Sequence, residues 1–390
     1  MTVAHVPDHA LTSEPLSPRD VDERLTESPV TLARIRRSIP TECFVISPWR
    51  SWGTLLRVFG CAAVLLALLA LVQPGDRGSG ALLWQVPALV ALWVLYGWVL
   101  VGLFVLGHDC GHRSFSRRRW VNTLVGHVCL APLANAYQAW RLTHDHHHAY
   151  TQLRGQDVDW ASYLVTREEF ESGRHNRRLV TRLGYALPFG VFFWIWWNSM
   201  VRGVAIHTQL APRVWEREKW RLRLSGAVTA VSLLAIYGTL WYATGFWGML
   251  KYHGIPATIA MITGWVLIAI QHANEDSLLY EKSAWTPAKG QMVSTFDTRF
   301  PRWIEVMWCS INFHIPHHVA PGVPWYHLEK AARALRVAYP DEYQERRFHA
   351  QDLLQFRRTP FLRKVEGEGY FVFDAVSAPV ARAAAAGAAT

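Results

Sequence analysis

The chain has 390 residues, a formal net charge of +10, an apolar fraction of 51% and 20 tryptophans. Length alone would allow two or three soluble domains, but long uncharged apolar runs recur between polar segments of comparable length, the pattern of an integral membrane protein with a substantial soluble face. The basic residues flank those runs, with Arg113, Arg117, Arg118 and Arg119 after one and Arg213, Arg217, Lys219, Arg221 and Arg223 before another. That placement fits anionic lipid headgroups, whereas a nucleic-acid footprint needs a folded basic face without a membrane anchor, so no nucleic-acid partner is expected.

Residues 1–30 are polar, contain several prolines and show no hydrophobic period, and we expect them to be disordered. The first apolar run begins only after a polar stretch of about fifty residues, so no secretory signal is expected. Four runs suffice to cross roughly 30 Å of hydrocarbon: Thr54–Val72, Ala81–Leu106, Leu224–Trp247 and Ile255–Ile270. Short, charge-poor links (PGDRGSG and GMLKYHG) join each pair, while the outer flanks are charge-rich. Two hairpins that enter from the cytoplasm and return to it follow from this asymmetry. Val121–Leu133 is too short to span and reads as interfacial. Leu183–Met200 contains Pro188 and Gly190 and is dense in tryptophan, so it too reads as interfacial or half-inserted. Residues 376–390 are a low-complexity tail, leaving 31–375 as the membrane domain. The expected fold is all-α and integral to the membrane, with four spans, interfacial helices and a cytoplasmic cap. Arg outnumbers Lys and Ala is abundant, a codon-usage pattern of a GC-rich bacterium, which places the protein in an inner membrane. The scattered Cys43, Cys61, Cys110, Cys129 and Cys309 include no CxxC pair and read as reduced, mostly buried thiols.

Histidines gather in HDCGH (108–112), HDHHH (144–148) and HIPHH (314–318), and His272 ends the fourth run. His108 and His112 are one helical turn apart and share a face, as do His144, His147 and His148. His146 lies about 200° round the helix from His144 and is left out of the set. Pro316 disfavours helix at Ile315, so a helix over Trp303–Phe313 is expected to end at the third cluster, and His314, His317 and His318 to enter from a break in the chain. The two-hairpin topology brings all these histidines to one membrane side at one depth. Nine imidazoles meeting there would repel if protonated and lack partners if neutral. Neutral imidazole is a good ligand for Fe, Zn, Cu and Ni, and nine are too many for one ion and suit two. The isolated His127, His207 and His253 read as ordinary interfacial or capping residues.

On these residues the chain resembles the integral-membrane fatty acyl desaturases, whose histidine boxes have the forms HxxxH, HxxHH and HxxHH. The resemblance covers about Ile39 to Ala338 and extends to IPTECF, GHDCGHRSFS, WRLTHDHHHAYT, LIAIQH and NFHIPHHVAPGVPWYHL. In wording it is closest to the bacterial and plastid-type Δ12 (ω-6) enzymes. It implies a cytoplasm-facing non-haem di-iron centre held by His108, His112, His144, His147, His148, His272, His314, His317 and His318, with O2 as co-substrate. His146 departs from the family pattern, where a basic or other residue is usual. Removing hydrogen from an unactivated methylene needs an oxidant that no side chain supplies. No HPGG-type haem motif is present, so an external donor, ferredoxin in a bacterium, is expected, and the substrate is a lipid-, CoA- or ACP-linked acyl chain. The resemblance implies introduction of a cis double bond at Δ12, oleoyl to linoleoyl. An acyl hydroxylase or acetylenase of the same superfamily is the alternative. A zinc transporter would need polar ligands within its spans, which are nearly uncharged, and a common metalloprotease would need HExxH, which is absent.

Overall fold

Helix α3 (Pro48–Leu71) opens on Pro48 at its first position, where the missing N–H costs nothing, and runs through an unbroken apolar stretch. Helix α4 (Ser79–Gly111) has 33 residues, so it rises about 50 Å and outruns the bilayer core, carrying the HDCGH residues past its edge. The structure is a computed structural model that describes residues 16–73, 79–158, 164–172, 212–354 and 361–374. Upstream lie α1 (Pro18–Glu27) and α2 (Leu32–Arg37). Downstream come α5 (Arg119–Leu130), α6 (Tyr137–Tyr150), α7 (Arg167–Glu171), α8 (Pro212–Met249) and α9 (Ile255–His272). Then follow short helices α10 (Pro287–Met292), α11 (Arg302–Met307), α12 (His314–Val319) and the longer α13 (Trp325–Ala338). Two small sheets complete the fold: β1 (Leu279–Tyr280) pairs antiparallel with β5 (Tyr370–Asp374), which pairs with β4 (Phe361–Val365), and β2 (Asp297–Arg299) pairs parallel with β3 (Glu345–Arg347).

Helix α4 organises the bundle, packing against α3, α5 and α9. Two of its glycines allow backbone-close approach: a Cβ at Gly97 would come within 2.6 Å of Ile259, and one at Gly102 within 2.3 Å of the Met307 carbonyl. Side chains such as Leu56, Leu71, Leu83 and Leu234 remain largely exposed on α3, α4 and α8, as a lipid-facing surface requires. Trp49, Trp120, Trp220 and Trp303 are exposed near helix ends, where interfacial anchors sit.

Three helical stretches are long and apolar enough to cross a membrane: Pro48–Leu71, Leu83–Gly111 and Arg217–His272. The last merges the third and fourth expected spans, and the expected GMLKYHG loop is helical. A straight helix of 56 residues would measure about 84 Å, far more than a bilayer core, but this one is broken at Gly245 (φ 67°, ψ −172°) and π-helical over Leu250–Gly254. Such features produce bends. Beyond them α8 leans on α5 and α6, whereas α9 leans on α4. Lys251 Nζ donates to the Val72 carbonyl at 2.6 Å and Trp93 donates to the Lys251 carbonyl at 2.9 Å, tying the bend to the first two spans.

The expectation of disorder over the first thirty residues does not hold from Pro18 onward. Ser17 and Asp20 form a capping box at the start of α1. Val21 and Leu25, four apart, pack beside Leu278, Tyr280 and Val372. Buried Asp22 pairs with Lys289 at 2.9 Å and accepts from the Tyr280 hydroxyl at 2.8 Å. Those partners lie some 250 residues away, so local composition could not report them. The expected helix over Trp303–Phe313 ends at Met307, because Cys309 and Ser310 take positive φ. A new helix, α12, starts at His314. Pro316 is tolerated there because first-turn N–H groups have no intrahelical acceptor. The expected interfacial stretch over 183–200 and the tail over 376–390 lie outside the described residues.

Candidate metal centre

Four helices end at one place. His108 sits in the last turn of α4 with His112 just beyond it, His147 and His148 in the last turn of α6, His272 at the end of α9, and His317 and His318 in the last turn of α12. Each helix C-terminus presents carbonyls with partial negative charge, so their convergence favours a cation. The rings form two groups: His108, His112, His144, His148 and His317 have ligand nitrogens within 4.8 Å of one another, as do His147, His272 and His318. His314 joins the second group, with its Nε2 2.8 Å from His272 Nε2 and 3.1 Å from His318 Nε2. All nine histidines singled out in the sequence therefore meet, and α12 places His314, His317 and His318 on one face by the same i, i+3, i+4 rule that orders the second box.

The contacts between rings leave a role for metal. Nε2 atoms approach at 3.0 Å (His108–His317), 3.1 Å (His144–His148) and 3.1 Å (His148–His317). His108 Nδ1–H faces Asp109 Oδ1 at 3.2 Å and His318 Nδ1–H donates to Gln291 Oε1 at 2.7 Å, so their Nε2 atoms carry lone pairs turned toward other rings. Two ligand nitrogens bound cis to one ion at about 2.1 Å stand about 3.0 Å apart at a right angle and about 3.4 Å at a tetrahedral angle. The observed separations are short enough for rings to share one ion. The His112 Nε2 atom is buried among these rings without a hydrogen-bond partner, which a metal would satisfy. Burial, reinforced by neighbouring histidines, holds His112, His144, His148, His314, His317 and His318 well below the usual imidazole range, so they are neutral at pH 7 and available as ligands.

An apolar cavity opens beside both groups, between α4, α6 and α9. Val101, Phe104, Val105, Met261, Leu267 and Ile268 line it, and His108, His144, His147, His272 and His314 stand at its edge. Trp140, on its wall, stacks on His144 with ring centroids 4.6 Å apart.

The family model described as fatty acid desaturase matches residues 84–350. The chain belongs to that family. It is an oxidoreductase of the fatty acid desaturase type, built on apolar helices suited to a membrane. The sn-1 oleoyl-lipid 12-desaturase of Synechocystis is 31% identical over 93% of this chain and 96% of its own length. A chloroplastic omega-6 fatty acid desaturase of Glycine max is 30% identical over 82% of this chain and 70% of its own. A chloroplastic omega-3 fatty acid desaturase of Ricinus communis is 32% identical over 81% of this chain and 66% of its own.

Around this desaturase centre the structure reveals supporting residues that the sequence did not single out. Asp157 accepts from His147 Nδ1–H at 2.8 Å and, through its other oxygen, from the Gln152 N–H at 2.8 Å. Gln291 joins α6 to α12, accepting from His318 and donating to the His148 carbonyl at 2.8 Å. Asp297 receives the free Ile315 N–H at 2.8 Å, capping α12 from outside, and is held by the Tyr343 hydroxyl. Only adjacency to a box could have flagged any such residue, and that signal reaches Asp109 alone. His146 points away, donating from Nε2 to the Gln156 carbonyl at 3.0 Å and packing on Tyr150. His127 pins α5 to α8 through Ser225 at 3.0 Å, as an ordinary structural histidine does. His207 lies outside the described residues. All five cysteines are free, and four of them are buried.

Proposed function

We propose that this protein is an O2-dependent desaturase that introduces a cis double bond at Δ12 of an oleoyl chain, using two iron ions. His108, His112, His144, His148 and His317 would hold one iron, and His147, His272, His314 and His318 the other. The observation that carries this reading is the apolar cavity whose wall includes histidines of both groups. Bound there, the irons would reduce O2 and supply the oxidant that an unactivated methylene demands.

The chain's own residues do the rest. The cavity wall holds the acyl chain extended and excludes water from the centre. Asp157, Gln291 and Asp109 fix ring tautomers so that Nε2 lone pairs face inward. A cis bond already present in the acyl chain gives it a bend, which a cavity curving past the centre can use to set register. Saturated stearoyl chains lose more conformational entropy on adopting that shape and are poorer substrates. Electrons come from an external one-electron donor, ferredoxin in a bacterium. The charge-rich flanks support a site facing the cytoplasm from the inner membrane, with two hairpins entering from that side.

Expression in a host lacking polyunsaturated acids, with oleate and stearate fed separately, tests this reading by mass-spectrometric location of double bonds. Linoleate from oleate is expected. Efficient Δ9 product from stearate with oleate untouched would refute the Δ12 assignment, and hydroxylated or acetylenic products would redirect it within the superfamily.

A further inference from the structure

The wall that α9 gives to the cavity is a helical stripe: Ala260 and Met261, then Gly264 and Trp265, then Leu267 and Ile268, then Gln271 and His272. Among the described residues Gly264 is the one glycine lining it. A mid-helix glycine costs roughly 0.5–1 kcal/mol relative to alanine, so its presence calls for a reason. Close packing is the reason at Gly97, Gly102 and Gly107, where a Cβ would fall within 2.3–2.7 Å of a neighbour. At Gly264 no described atom lies within 4 Å of the Cβ position. The missing side chain widens the cavity and permits no helix contact.

We propose that Gly264 sets the acyl-chain length this enzyme accepts, by leaving room for the methyl end of the substrate. The inference rests on the acyl-desaturase reading of the cavity. Polar head groups cannot be left unpaired in an apolar interior, so the head stays on the histidine side and the methyl end points along α9 toward Ala260. Gly264 lies eight residues before His272, about 12 Å along the axis, and Ala260 about 18 Å. The His272 side chain leans back toward Gly264, because helical side chains tilt toward the N-terminus. An extended acyl chain with C–C bonds of about 1.5 Å advances roughly 7.5 Å over the six carbons beyond C12. The methyl end of an 18-carbon chain therefore comes to the turn that contains Gly264, and Met261 lines the cavity one turn beyond.

The test uses the full-length, iron-loaded protein with a reduced donor and O2, and compares turnover on Δ9-monounsaturated acyl chains of 18 and 14 carbons. A leucine side chain would take up roughly the space of four methylenes. Gly264→Leu is expected to lower the 18-to-14 turnover ratio at least tenfold with iron content unchanged, and Gly264→Ala to lower it less. Met261→Ala, which widens the cavity one turn beyond, is expected to raise the ratio, and it keeps the test decisive if Gly264→Leu does not fold. An unchanged ratio in iron-replete Gly264→Ala and Met261→Ala proteins would overturn the proposal. Wild-type protein that desaturates neither chain would instead overturn the acyl reading itself.

Discussion

Asp157→Asn is expected to weaken one of the two proposed iron sites and to spare the other. The wild-type carboxylate is buried and accepts two N–H donors, His147 Nδ1–H and the Gln152 amide, each at 2.8 Å. Asparagine offers one acceptor oxygen and one NH2 group, so whichever way it turns, one of the two buried donors faces another donor. Leaving a buried donor unpaired costs about 1–3 kcal/mol. If the amide oxygen stays with Gln152, the loss falls on His147 and its ring tautomer, and loss of such outer partners typically weakens metal binding about 10–100-fold, or about 1.4–2.7 kcal/mol. His147, whose Nδ1–H Asp157 accepts, belongs with His272 and His318 and not with the group of five. Iron per chain, measured after gel filtration against a graded chelator, should fall from two toward one at chelator levels that leave the wild type loaded. Loss of both irons together at the same chelator level, or no loss at all, would refute the two-site partition and the orienting role of Asp157.

His147→Ala and His272→Ala should abolish turnover and lower iron content, whereas His146→Ala should keep most activity; iron analysis beside product assay checks both. The metal-free protein should lose stability as pH falls below about 6.5: buried His144, His148, His314, His317 and His318 have folded pKa values well below that of the unfolded chain, which therefore binds more protons there. Asp297, pushed up to about 7 by burial, and Asp145, also raised by burial, act in the opposite sense, but they are outnumbered by five imidazoles. Thermal melts across pH 5–8 would show the fall, and a flat profile would contradict neutral, buried rings. Lys289→Met should destabilise the fold by about 3–5 kcal/mol by leaving buried Asp22 without its cation, read as a lowered melting temperature. Ser172→Cys should resist an impermeant thiol reagent in intact cells, and Ser79→Cys should react; the reverse pattern would invert the proposed topology.

Side-chain direction along a single helix follows from local spacing, and for that reason the amino-acid sequence by itself determined which histidines act together. HDCGH and HDHHH each fix a face, and His146 falls off it. The partition of nine rings into five and four was decided only by the packing of α4, α6, α9 and α12, because residues as far apart as His108 and His317 have no local relation. The same holds for Asp157, Gln291 and Asp297, whose partners are defined by distance in space, and for α1, whose two apolar residues find their core beside Leu278, Tyr280 and Val372. Pro316 misled the local reading of α12, since a proline forbids helix in the interior but is harmless in a first turn, and only the chain reversal at Cys309 and Ser310 makes His314 a first turn. The bend between α8 and α9 and the open space beside Gly264 likewise exist only once neighbouring helices are in place: a cavity is the volume that packing leaves unfilled, and no single segment of the chain encodes it.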